Sequence, residues 1–143
     1  MKKIIVVSGH GKYGTAMQST LELLLGYNGS LYFIDFREED TDIILREKFL
    51  QVLHSAAPKQ VLFVCDILGG TPFKVAAELA MNDESVEVVA GVNVGSIIES
   101  IYQDDEISIC DLAEFIVKVS KNTTLKFDKQ GSYSSDFHTE DGI

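Results

Sequence analysis

Val6-Val7-Ser8-Gly9-His10-Gly11-Lys12-Tyr13-Gly14 is the stretch that decides the fold. An apolar, β-branched run from Ile4 to Val7 stops at a histidine set between two glycines. Beyond it Met17, Leu21, Leu24 and Leu25 recur at helical spacing until Gly26. Continuous β-branched runs suit a central parallel strand covered on both faces. Cys65-Asp66-Ile67-Leu68-Gly69-Gly70-Thr71-Pro72 repeats the arrangement, with an aspartate at the strand end.

Working outward, Leu31 to Phe36 reads as a second strand after the Asn28-Gly29 turn signal. Asp40 or Thr41 can cap a helix that presents Leu45, Phe49, Val52, Leu53 and Ala56, closed by Pro58. Val61 to Cys65 is a third, most apolar strand. Thr71-Pro72 reads as an N-cap followed by proline at the first helical position. That helix runs through Phe73, Val75, Ala76, Leu79 and Ala80. Val86 to Ala90 is a fourth strand, the loop Gly91 to Gly95 leads to a short helix at Ile97, Ile98 and Ile101, and Asp104 to Glu106 form an acidic loop. Leu112, Phe115, Ile116 and Val119 mark a last helix, and Thr124 to Phe127 a short fifth strand. Residues 1–127 form one domain and 128–143 an acidic tail.

Strands alternating with helices predict an α/β fold, an open, doubly wound, mainly parallel sheet with helices on both faces. In order 2-1-3-4, the crevice opens at the carboxyl ends of strands one and three. His10 follows the first and Asp66 ends the third, on strands about 5 Å apart.

The 143 residues suffice for one core. A formal net charge of −10 argues against nucleic acid or an anionic membrane as partner and favours a basic protein surface. Cys65 and Cys110 form no metal spacing and read as buried, reduced thiols. The apolar run behind Lys2 and Lys3 is too short for a signal peptide or membrane span, so a cytoplasmic protein is expected. His54 and His138 have no partners at suitable spacing, and no metal site is expected.

Gly9-His10-Gly11-Lys12-Tyr13-Gly14 is also a literal GxGxxG, with Asp35 21 residues beyond Gly14 where a ribose-binding acid would sit. A dinucleotide-binding module using Gly9, Gly11, Gly14 and Asp35 is therefore the alternative. Against it stand the histidine inside the tight turn, the lack of a second domain, and an Asp66–Pro72 stretch left without a role. A P-loop fails because Thr15 stands where lysine is required. A receiver domain fails because Ser8, Gly9 and His10 replace the carboxylates that would hold Mg²⁺.

A histidine-phosphoryl reading uses both stretches. A neutral imidazole attacks phosphorus with one nitrogen, while a carboxylate on the other N–H fixes the tautomer and stabilises positive charge. His10 and Asp66 take these roles. N–H groups opening the helices after Gly11 and Thr71 could receive the phosphoryl oxygens. Glycines 9, 11, 69 and 70 leave room for a partner's active site. Positioning and electrostatics suffice for such transfer, so no cofactor is required.

At these residues, from about Lys2 to Phe127, the chain resembles the mannose-family enzyme IIA domain of the bacterial phosphoenolpyruvate-dependent sugar phosphotransferase system. Gly9-His10-Gly11, Leu24-Leu25-Gly26, Ile34-Asp35-Phe36, Asp66 to Phe73 and Ala90-Gly91-Val92-Asn93 carry the likeness. The resemblance implies that His10 is phosphorylated by phospho-HPr, with Asp66 orienting it. Gly11, Leu68, Gly69, Gly70 and Thr71 would lie at the phosphate or the partner. It implies onward transfer to enzyme IIB, which is expected as a separate polypeptide, and a functional link to membrane components IIC and IID. It also implies a homodimer exchanging the strand Thr124 to Phe127. Val94-Gly95 departs from the family's apolar residue and proline, which affects the partner-facing loop. A third reading is a regulatory dimer switched by phosphorylation.

Overall fold

The computed structural model describes residues 1–55 and 59–131. Its elements are β1 (Lys2–His10), α1 (Tyr13–Leu25), β2 (Leu31–Phe36), α2 (Asp42–His54), β3 (Lys59–Cys65), α3 (Thr71–Ala80), β4 (Val86–Ala90), α4 (Val94–Ile101) and α5 (Ile109–Thr123). The four strands are all parallel in the order β2-β1-β3-β4, as the sequence predicts.

Period-two alternation explains how one sheet serves two cores. Ile5, Val7, Leu62, Val64 and Val89 meet α1, α4 and α5 through Leu21, Ile97, Ile109, Leu112 and Ile116. Ile4, Val6, Val61, Phe63 and Cys65 meet α2 and α3 through Leu45, Phe49, Val75, Ala76 and Leu79. With both faces covered, the central strands are apolar over Ile4 to Val7 and Val61 to Cys65. Phe49 and Phe63 stack at 4.6 Å between ring centroids in the second core. Truncating either to alanine would cost about 3–5 kcal/mol.

The starts of α2, α4 and α5 are fixed by side-chain caps. Thr41 caps α2 through Ile44 N–H, and Ser108 caps α5 through Asp111 N–H. Asn93 caps α4, and its amide donates to Ser120 C=O and to Thr123 Oγ1. Val94 and Gly95, expected in a loop, therefore form the first turn of α4.

Several sequence expectations need correction. β1 continues through His10, so the histidine ends the strand instead of lying in the turn. The N-cap of α3 is Gly70; Thr71 is the first helical residue, because Pro72 enters one position later than a first-position proline would. Cys110 is exposed, rotated about 100° away from the buried stripe Ile109, Leu112, Ala113 and Ile116. Thr124 to Phe127 is irregular, not a strand. Four residues become regular β structure only by laddering onto a sheet edge, and Leu125 and Phe127 are instead 60% and 64% exposed. The expected exchange of this segment between subunits is not seen in the single chain. Ala56, Pro58, His138 and most of the expected tail lie outside the described residues. Among the described residues, no helix is long and apolar enough to cross a membrane.

Candidate active site

The order of strands reverses between β1 and β3, and there the two predicted residues meet. Beyond the last ladder pair, Ser8 with Cys65, Asp66 N–H donates to Ser8 C=O at 3.2 Å. This extra rung carries the Asp66 carboxyl back over the end of β1. Asp66 Oδ2 accepts from the His10 backbone N–H at 2.9 Å and lies 2.7 Å from His10 Nδ1. The His10 side chain is 45% exposed and that of Asp66 13%.

Burial alone would raise the Asp66 carboxyl. The backbone N–H and ring of His10 outweigh it and hold the group below its ordinary value. At neutral pH it is therefore ionised and accepts only. His10 Nδ1 must carry the proton, which leaves the Nε2 lone pair free in the neutral ring.

Three glycines admit this geometry for different reasons. A Cβ on Gly9 would lie 2.6 Å from Tyr13 Cδ1 and 2.7 Å from Asp66 Cβ and Cγ. Gly11 has φ 62°, and its N–H donates to Phe36 C=O at 2.8 Å, turning the chain off β1. A Cβ on Gly70 would stand 2.7 Å from His10 Cε1, so the start of α3 abuts the imidazole. Lys74 N–H closes the first turn of α3 onto Gly70 C=O at 2.9 Å. The Thr71 and Phe73 N–H groups lie within that turn, at the positive end of the helix dipole. Gly69 turns at φ 77°, and beside it Ile67 and Leu68 are 55% and 79% exposed.

The helix after Gly11 is built otherwise than expected. Asp35 Oδ1 accepts from Thr15 N–H at 2.8 Å and Oδ2 from Thr15 Oγ1 at 2.9 Å, so this carboxylate already occupies the opening turn of α1. Asp35 is buried, and a Cβ on Gly14 would meet its Oδ1 and the Ile34 backbone at 2.9 Å. The acid that a dinucleotide reading assigns to a ribose thus faces protein, and that alternative is not favoured.

Sequence reasoning missed Phe36. Its ring crosses the imidazole of His10 at 77° with centroids 5.7 Å apart. The signal was available in the register of a parallel pair, in which the last residues of β1 and β2 stand opposite each other.

The family described as "PTS system fructose IIA component" matches residues 4–117. The chain is 28% identical over 120 residues to the fructose-specific EIIA component of Bacillus subtilis, covering 83% of this chain and 82% of that protein. It is 33% identical over 119 residues to the mannose-specific EIIAB component of Escherichia coli K12. That alignment covers 82% of this chain and 37% of the longer relative. Among solved structures, the mannose/sorbose-specific IIA subunit from Enterococcus faecalis superposes with a TM-score of 0.81 at 23% identity, covering 90% of this chain and 96% of that one. An EIIA component from Streptococcus agalactiae gives 0.78 at 24%, covering 87% and 96%. Structural likeness at this identity speaks for the fold, and the family match across most of the chain speaks for the kind of protein. The chain belongs to the mannose-family enzyme IIA components of the bacterial sugar phosphotransferase system.

Proposed function

We propose that this chain is a cytoplasmic phosphoryl carrier that accepts phosphate from phospho-HPr on His10 Nε2 and passes it to enzyme IIB. The observation that carries this reading is the engagement of His10 Nδ1 by Asp66 at 2.7 Å on a ring that is otherwise half-exposed.

The chemistry follows from the protonation pattern. The Nε2 lone pair attacks phosphorus, the Nε2–P bond forms, and the donor's N–P bond breaks with its electron pair returning to the donor nitrogen. His10 keeps its Nδ1 proton and becomes a positively charged phospho-imidazolium beside the Asp66 carboxylate, which stabilises that charge. The positive end of α3 and its leading N–H groups receive the phosphoryl oxygens, with Thr71 at the first helical position. Transfer to IIB is the same step in reverse. Gly11, Gly69 and Gly70 keep the approach open, and Leu68 with Ile67 offers an apolar rim for a docking protein. The net charge of −10 favours basic partner surfaces. In this reading the chain works with membrane components IIC and IID, as a homodimer that gives Thr124 to Phe127 an edge to pair with.

The test is intact mass after incubation with phosphoenolpyruvate, enzyme I and HPr. The expected result is one acid-labile phosphoryl group on the wild type and none on His10→Ala. Label retained on His10→Ala, or a folded wild type left unmodified by a relay active on a control acceptor, would overturn the proposal.

A further inference from the structure

We propose that Phe36 is a positioning residue that fixes the plane of the His10 imidazole for transfer at Nε2. The inference rests on the carrier reading above. A hydrogen bond from Nδ1 to Asp66 fixes one atom of the ring but not its plane. Torsion about the Cβ–Cγ bond of histidine is broad, so the ring could rock at little cost while keeping that bond. In-line transfer needs the Nε2 lone pair aimed along one direction, and small angular errors are expensive.

Phe36 supplies the missing constraint from the opposite side of β1. His10 and Phe36 are register partners of the parallel pair, which sends both side chains to the same face of the sheet. Their rings meet edge-to-face, at 77° and 5.7 Å. The same residue's C=O accepts from Gly11 N–H at 2.8 Å, so Phe36 holds both the ring and the backbone that follows it.

Phe36 is itself well anchored. Its neighbour Asp35 holds Thr15 by two hydrogen bonds, and Lys48 Nζ reaches Asp35 C=O at 3.5 Å and Asp40 Oδ2 at 2.7 Å. The imidazole is then bounded by Asp66 at Nδ1, Gly70 at Cε1 and Phe36 across its plane, and Nε2 is left for the partner.

Phe36→Leu removes the ring yet leaves the Gly11 N–H to C=O bond available, and Phe36→Tyr restores the ring. In single-turnover transfer from phospho-HPr, Phe36→Leu should lower the maximal rate roughly tenfold with half-saturation changed less than about twofold, and Phe36→Tyr should recover most of it. A folded Phe36→Leu protein with the wild-type maximal rate, or with only half-saturation altered, would overturn the proposal. Nuclear Overhauser contacts between the ring protons of His10 and Phe36 in the wild type supply a second readout that needs no variant. They should be present before phosphorylation and persist after it, and their absence from the unmodified protein would also overturn the proposal. A wild type that accepts no phosphoryl group sinks the carrier reading instead, a result that the variant comparison cannot mimic.

Discussion

Gly70→Ala offers a test in which a single methyl group acts on the chemistry and hardly on the fold. The new Cβ would sit 2.7 Å from His10 Cε1, 3.1 Å from Ile67 Cγ1 and 3.4 Å from Ile67 Cδ1. Ordinary carbon–carbon contact is about 3.5–4.0 Å, so the ring must retreat by about 1 Å. The exposed Ile67 side chain can turn away. The half-exposed imidazole can turn aside as well, but doing so takes it off its alignment with Asp66 and Phe36. A misplacement of this size costs transfer on the order of 10²-fold, about 2.7 kcal/mol of barrier.

Stability should barely change, because two small effects oppose each other. At an N-cap, alanine is worse than glycine by about 0.5–1 kcal/mol. Gly70 has φ −71°, which alanine adopts freely, so the stiffer unfolded chain returns about 0.4–1 kcal/mol. The assay is the maximal single-turnover rate with phospho-HPr, read beside thermal unfolding. The rate should fall while the melting temperature holds. A maximal rate within about twofold of wild type in a folded protein would refute the steric reasoning. So would a loss confined to half-saturation.

Three further outcomes follow from the same geometry. Asp66→Asn should lower transfer by on the order of 10²–10⁴-fold, since an amide no longer enforces the Nδ1–H tautomer; the native Asp66 carboxyl lies below its ordinary 3.8, so its stabilising contribution is full above about pH 4 and fades as pH falls through the lowered native value, and the wild type's advantage over the variant in urea titrations should shrink over that window. Gly14→Ala should destabilise by about 1–3 kcal/mol in urea unfolding, because its methyl would meet the Ile34 backbone, which cannot step aside. A thiol reagent should label one cysteine in the native protein, the exposed Cys110, and reach Cys65 only in denaturant, since burial pushes that thiol up to about 12.

The meeting of His10 and Asp66 was legible because each stands at the carboxyl end of an apolar run, and the order 2-1-3-4 puts those two ends side by side. What was not legible depends on angles and partners. Cys110 follows a buried isoleucine in an apolar neighbourhood, yet one helical step carries it to the surface. Leu125 and Phe127 alternate as a strand does, but alternation states only what a segment could pair with. The shift of the α3 cap from Thr71 to Gly70 is one residue, below what residue preferences resolve. Phe36 read as one more aromatic of a strand, because its contact with His10 exists only once β1 and β2 are in register.

The glycine pattern shows why spacing alone could not choose between two functions. In a dinucleotide site, glycines of a GxGxxG let the backbone approach a pyrophosphate and the helix approach its strand. Here Gly9 is small because Asp66 and Tyr13 fill the volume a Cβ would take, and Gly14 is small because Asp35 and Ile34 do. Gly11 answers to its backbone angle, with nothing near its Cβ position. The acid at position 35 has spent both oxygens on Thr15. Each glycine is thus required by a neighbour within the chain or by a turn, and two of those neighbours, Asp66 and Asp35, fasten the ends of the segment bearing His10. The same letters that could cradle a nucleotide here hold a histidine still, and only what occupies the space in front of each glycine separates the two.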